Sequence, residues 1–79
     1  MRARVYITLK PGVHDPAASA VRNGLVVLGH TDVGDVHIGR FVELELPDGP
    51  ADHARARVEA MCAELLANPV IEDVRVELP

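Results

Sequence analysis

The sequence predicts an α+β fold: a two-layer, ferredoxin-like βαββαβ sandwich with two helices on one face of an antiparallel sheet. Three observations predict it. Apolar residues alternate with a period of two near both ends of the chain. Two amphipathic stretches between them carry helix start and stop signals. An apolar, alternating run, Val33 to Leu46, lies between those helices and is broken at Gly39-Arg40. Strand, helix, broken strand, helix, strand is the order of the split βαβ arrangement. At 79 residues, the chain is read as one domain, residues 1–79.

In the first strand Ala3, Val5, Ile7 and Leu9 alternate with Arg4, Tyr6, Thr8 and Lys10, which gives one apolar and one polar face. Pro11-Gly12 ends it. Asp15 is placed to accept from the free N–H groups of the next helix, and Pro16 suits its first position. Ala17, Val21, Leu25 and Leu28 fall on one helical face, and Gly29 suits the left-handed residue that closes a helix.

In the central run Val36, Ile38, Val42, Leu44 and Leu46 share one parity, and Arg40 has that parity without belonging in a core. Gly39-Arg40 is therefore either a tight hairpin turn or a bend in one long strand. The second helix runs from about residue 50 to 67, with Ala51, Ala54, Val58, Met61, Cys62 and Leu65 as its apolar stripe. Asp52 suits its first turn, and Asn68-Pro69 stops it. In the last strand Val70, Val74, Val76 and Leu78 take the inner face, where Glu72 is the one polar residue. The outer face shows Arg4, Tyr6, Thr8, Lys10, Glu43, Glu45, Asp73 and Glu77, so basic residues of strand one can pair with carboxylates across strands. Both sheet edges are open and invite pairing with another chain.

Composition excludes several functions. The net charge is −4, and Tyr6 and Phe41 are the only aromatic residues. Nucleic-acid binding relies on basic patches and stacking aromatics, so it is not expected. No apolar run approaches the ~20 residues that span a bilayer, and the alternating N-terminus is unlike the apolar core of a signal peptide. With a single cysteine, these features predict a cytoplasmic protein with no membrane association.

Catalytic candidates are few. Cys62 lies on the buried stripe, whereas a reactive thiolate needs a positive, partly exposed setting. His14, His30, His37 and His53 form no pair at metal-ligand spacing, and there is no CxxC or HxxxH. Asp35 and His37 share a strand face but lack a third orienting group. Lys10-Pro11-Gly12 lacks the glycines and the Lys-Ser/Thr pair of a phosphate loop. The residues thus point to no catalytic site, no metal site and no bound cofactor, and to function through contacts with other proteins.

Three segments resemble the PurS family, the small subunit of phosphoribosylformylglycinamidine synthase. They are Val5-Tyr6-Ile7-Thr8-Leu9-Lys10-Pro11-Gly12-Val13 with Asp15-Pro16 and Ala20-Val21; Val33 to Leu46, with Asp35-Val36, Gly39-Arg40 and Glu43-Leu44-Glu45; and Met61-Cys62 followed by Leu65-Leu66-Ala67-Asn68-Pro69-Val70-Ile71-Glu72-Asp73. The second helix is richer in alanine and arginine than the glutamate-rich family pattern. The resemblance implies a non-catalytic subunit of a complex in de novo purine biosynthesis. Its partners would be a glutaminase subunit that releases ammonia and a synthetase subunit that uses ATP and Mg. The chain would bridge the two, assist ammonia transfer and self-associate as a dimer or tetramer. Candidate partner-contact residues are Lys10, His14, Arg22, Arg40 and Asn68, and for each a purely local structural role is the simpler alternative. Two rival readings are a ferredoxin-like small-molecule-sensing regulatory domain, which rests on fold analogy alone, and a small enzyme working at a dimer interface.

Overall fold

In the computed structural model, which describes all 79 residues, strand β1 (Arg2–Leu9) is the centre of a three-stranded antiparallel sheet. Strand β2 (Gly39–Glu45) pairs along one side, with Val5 opposite Val42. Strand β3 (Glu72–Glu77) pairs along the other, with Val5 opposite Val76. Helix α1 (Pro16–Val27) joins β1 to β2. Helix α2 (Ala51–Met61) and a π-helical turn, Cys62–Leu66, join β2 to β3. The α+β class and the order of elements are those the sequence predicts.

The central run resolves into one strand. Residues 33–38 enter no ladder, and β2 begins at Gly39, so the sheet has three strands and no hairpin. Gly39 serves close approach here, not a turn. A Cβ at this position would meet the Ile7 carbonyl oxygen, and Thr8 Cγ2 would lie 2.9 Å away. Left-handed backbone is confined to Gly12 (φ 85°), in the turn after β1, and Gly29 (φ 105°), which closes α1.

The core lies between the inner face of the sheet and α2. Ala3, Val5 and Ile7 of β1 meet Val58 and Cys62, and all five are essentially inaccessible. Val42, Leu44, Val76 and Leu78 extend the cluster across the sheet. Full burial of side chains such as Val5, Ile7 and Val58 is worth about 1.5–3 kcal/mol each. Only seven residues of the chain are buried, so this core is small.

Two predicted details differ. First, only one helix covers the sheet. No α1 residue belongs to the core cluster, and Val21, Val27 and Leu28 are exposed. α1 is well capped by Asp15, whose Oδ1 accepts from the Ala17 and Ala18 N–H groups at 3.0 and 3.2 Å. Its tie to the rest of the chain includes Arg22, whose Nε donates to the Gly34 carbonyl at 2.9 Å. The outcome is an elongated molecule, 49 × 25 × 14 Å. Its radius of gyration is 16.0 Å, against about 11.6 Å for a compact chain of this length.

Second, the stripe of α2 changes register at its end. The Ala67 N–H donates to the Cys62 carbonyl, an i→i+5 bond that inserts one residue into the turn. Leu66 and Ala67 therefore pack on the core, while Leu65 is 85% exposed. The last strand also starts later than its apolar pattern suggests, which leaves Val70 in the preceding turn and exposed.

Candidate partner-contact surface

Three of the five residues singled out from the sequence converge at one corner of the sheet. Arg40 in β2 stands opposite Ile7, and Glu72 in β3 stands opposite Leu9. Both have inner parity, at the end of the sheet beyond the buried cluster. Arg40 donates to both carboxylate oxygens of Glu72 at 3.0 Å. The pairing accounts for both polar residues of that parity at once: each has the other as its partner across β1. The Asn68 N–H also donates to Glu72 Oε1 at 2.8 Å. That backbone bond, and then the Arg40 guanidinium, holds the Glu72 carboxyl below its usual range.

Asn68 itself builds the corner. Its Oδ1 accepts from the Val70 N–H at 3.0 Å, and its carbonyl accepts from the Ile71 and Glu72 N–H groups. Lys10 lies beside it on the outer face, with Nζ 2.6 Å from Asp73 Oδ1, and its backbone N–H donates to the Ile71 carbonyl at 2.8 Å. Lys10, Arg40 and Asn68 therefore each have a local structural role at the corner around Ile71–Asp73.

His14 and Arg22 fall elsewhere. They line a cleft of about 210 Å³ between the start of α1 and residues 35–37, together with Asp35 and His37. His14 is exposed, and Arg22 holds α1 to the Gly34 carbonyl. The five residues thus form two separate groups.

The outer sheet face carries the cross-strand charges that the alternation predicts. Arg2 holds Glu45, with Nη2 to Oε1 at 2.7 Å, and Arg4 lies 4.0 Å from Glu43. The Arg2 guanidinium beside it keeps the Glu45 carboxyl below its usual range. These pairs are exposed and contribute little individually. At the centre of this face the Tyr6 ring stacks with Phe41 at 5.1 Å, and the Arg75 guanidinium lies 4.2 Å over it.

Sequence reasoning missed the exposed apolar residues at the two extremes of the molecule: Val27 and Leu28 at the end of α1, and Leu65 and Val70 after α2. The i→i+5 bond at Ala67 that shifts the face there has no signature in the residues. Cys62 is 3% exposed, and burial raises its thiol pKa, with Glu59 adding to the effect. That setting opposes a thiolate nucleophile. No three His, Cys, Asp or Glu side chains gather at metal-binding distance. No helix is long and apolar enough to cross a membrane.

With this geometry in place, comparison with known proteins decides the family. The family model PurS, described as phosphoribosylformylglycinamidine (FGAM) synthase, matches residues 2–79. The chain belongs to the PurS family. A PurS subunit of phosphoribosylformylglycinamidine synthase from Synechocystis is 44% identical over 75 residues, 95% of this chain and 75% of that protein. The structure of Bacillus subtilis PurS superposes with a TM-score of 0.84 at 42% identity, covering 96% of this chain and 94% of that one. A chain in the structure of PurLQS from Thermotoga maritima superposes with a TM-score of 0.87 at 25% identity, covering 96% and 93%. The PurS match runs through every element described above, α1 included. The rival reading as a small-molecule-sensing regulatory domain finds no support among these relatives.

Proposed function

We propose that this chain is the PurS subunit of phosphoribosylformylglycinamidine synthase and serves de novo purine biosynthesis as a non-catalytic bridge between the glutaminase and synthetase subunits. The PurS family match over residues 2–79 supports this reading, together with a chain of the PurLQS structure that superposes on 96% of this chain.

The physical role follows from the chemistry of the complex. Ammonia released from glutamine is a nucleophile only while unprotonated, and bulk water at neutral pH protonates it. A subunit that holds two enzymes in fixed relation limits that loss without taking part in bond making. ATP and Mg belong to the synthetase partner in this reading, and this chain binds no cofactor of its own. Its one thiol is buried with a raised pKa, which fits a role other than glutamine hydrolysis.

Self-association is part of the proposal. α1 and residues 33–38 extend from a small core, and α1 leaves Val21, Val27 and Leu28 in solvent. The outer edges of β2 and β3 are unpaired in the sheet. A second copy that covers these surfaces supplies the burial a lone chain of this size lacks. Scattering-coupled size exclusion is expected to give at least a dimer at micromolar concentration. The decisive experiment for the bridge measures glutamine-dependent amidine formation by glutaminase and synthetase with and without this chain. Equal rates in both mixtures would refute it.

A further inference from the structure

The corner where the start of β1 lies beside the end of β3 holds a cavity of about 520 Å³. Arg2, Arg4 and Arg55 line it, with Val76 and Leu78 as its apolar part. Three of the eight Lys and Arg residues in a chain of net charge −4 thus converge on one hollow, two from β1 and one from α2. Their existing partners differ. Arg2 is fully engaged, with Glu45 at 2.7 Å and Glu43 at 3.5 Å. Arg4 has only Glu43, at 4.0 Å and beyond hydrogen-bond range. Arg55 Nη1 donates to the Val76 carbonyl at 3.2 Å and joins none of the chain's ion pairs. Glu77, the one carboxylate side chain in the lining, is held by Arg75 at 3.0 Å.

We infer that this hollow is a binding site for a small phosphate monoester, held by the unsatisfied guanidinium groups of Arg4 and Arg55. A guanidinium presents five N–H donors in a planar fork that matches the oxygens of phosphate. Arg4, which stands opposite Glu43 and Glu77, spends none of them in a hydrogen bond and Arg55 spends one, so an oxyanion that enters the hollow gains charge-assisted bonds without breaking a hydrogen-bonded ion pair. The volume lies within the range of small-molecule sites, and Val76 and Leu78 offer contact to the carbon skeleton of an ester. Binding involves no bond making, and the site is separate from the corner around Glu72.

The test is calorimetric titration of the full chain, in low-salt buffer free of phosphate, with ribose 5-phosphate and with inorganic phosphate. Saturable binding of ribose 5-phosphate is expected, with Arg4→Gln and Arg55→Gln each weakening it about tenfold, the scale of one charge-assisted hydrogen bond. Arg55→Lys is expected to weaken it as well, because the charge stays but the fork is lost. Arg57→Gln, in a different hollow of α2, is expected to bind as the parent does. Inorganic phosphate binding as tightly as the ester would keep the site and assign it to the free oxyanion. The inference is overturned by an absence of saturable binding with both probes, or by an equal loss in Arg57→Gln, which marks diffuse charge attraction. It is also overturned if Arg4→Gln leaves the affinity unchanged. Thermal unfolding of each variant checks the fold; should Arg55→Gln fail to fold, Arg4→Gln and Arg55→Lys still decide.

Discussion

The half of the molecule made by the sheet and α2 contains the core, whereas α1 and residues 33–38 contain almost none of it. Val5, Ile7 and Val58 are fully buried in the first half; in α1 only Ala18 is buried, and Leu28 is 76% exposed. Yet α1 is as well formed locally as any element of the chain. It has a carboxylate N-cap, proline at the first position and a left-handed glycine after its last turn. Caps mark where a helix starts and stops, but a helix of this length depends for its stability on an apolar surface that receives it. In this chain α2 takes that surface, and α1 leaves Val21, Val27 and Leu28 exposed.

The core is the region most sensitive to substitution. Ile7→Ala is expected to destabilise the chain by about 2–5 kcal/mol, because a fully packed site leaves a cavity; urea unfolding measures it, and a loss below about 0.5 kcal/mol would deny that β1 is the centre of the core. Gly39→Ala is expected to cost about 1–3 kcal/mol, the range for overpacking, since its methyl meets the β1 backbone. Asp15→Ala removes the cap of α1, typically about 1 kcal/mol. Because α1 stands apart from the core, hydrogen exchange in residues 16–27 should speed up while the exchange of β1 amides stays unchanged.

Glu72 has a folded-state pKa below its usual value of 4.5. The stability it contributes is therefore present above that value and is lost as pH falls through the lower folded-state pKa. Glu72→Gln should flatten the acid limb of a stability-against-pH curve and leave neutral-pH unfolding cooperative; an unchanged acid limb would show that the corner does not titrate with folding. Val27→Ser should have the smallest effect, within about 0.5 kcal/mol for the unfolding of a single chain, as for other exposed positions. Its effect should appear instead as weaker self-association on dilution.

The corner around Glu72 shows how much of the candidate surface was legible. Arg40 and Glu72 each stand out in the sequence as a polar residue of inner parity, but 32 positions separate them. Only the placement of β2 and β3 on either side of β1 brings them together. Asn68 is legible as a helix stop, but its contact with Glu72 depends on the conformation of the following turn. Lys10 and Asp73 were both expected on the outer face, and register makes them a pair. The grouping of His14 with Arg22 depends on residues 33–38 lying beside α1 instead of joining the sheet.

The sequence by itself determined the α+β class, the order of the elements, the alternation of β1, the caps of α1, the outward charges and the burial of Cys62. These follow from local periodicity and from side chains that act on their own backbone, so they need no knowledge of distant neighbours. The strand count, the π turn that exposes Leu65, the separation of α1 from the sheet and the pairing of Arg40 with Glu72 were decided only by tertiary structure. Each depends on which of several compatible surfaces meet, and that is settled by packing between residues far apart in the chain.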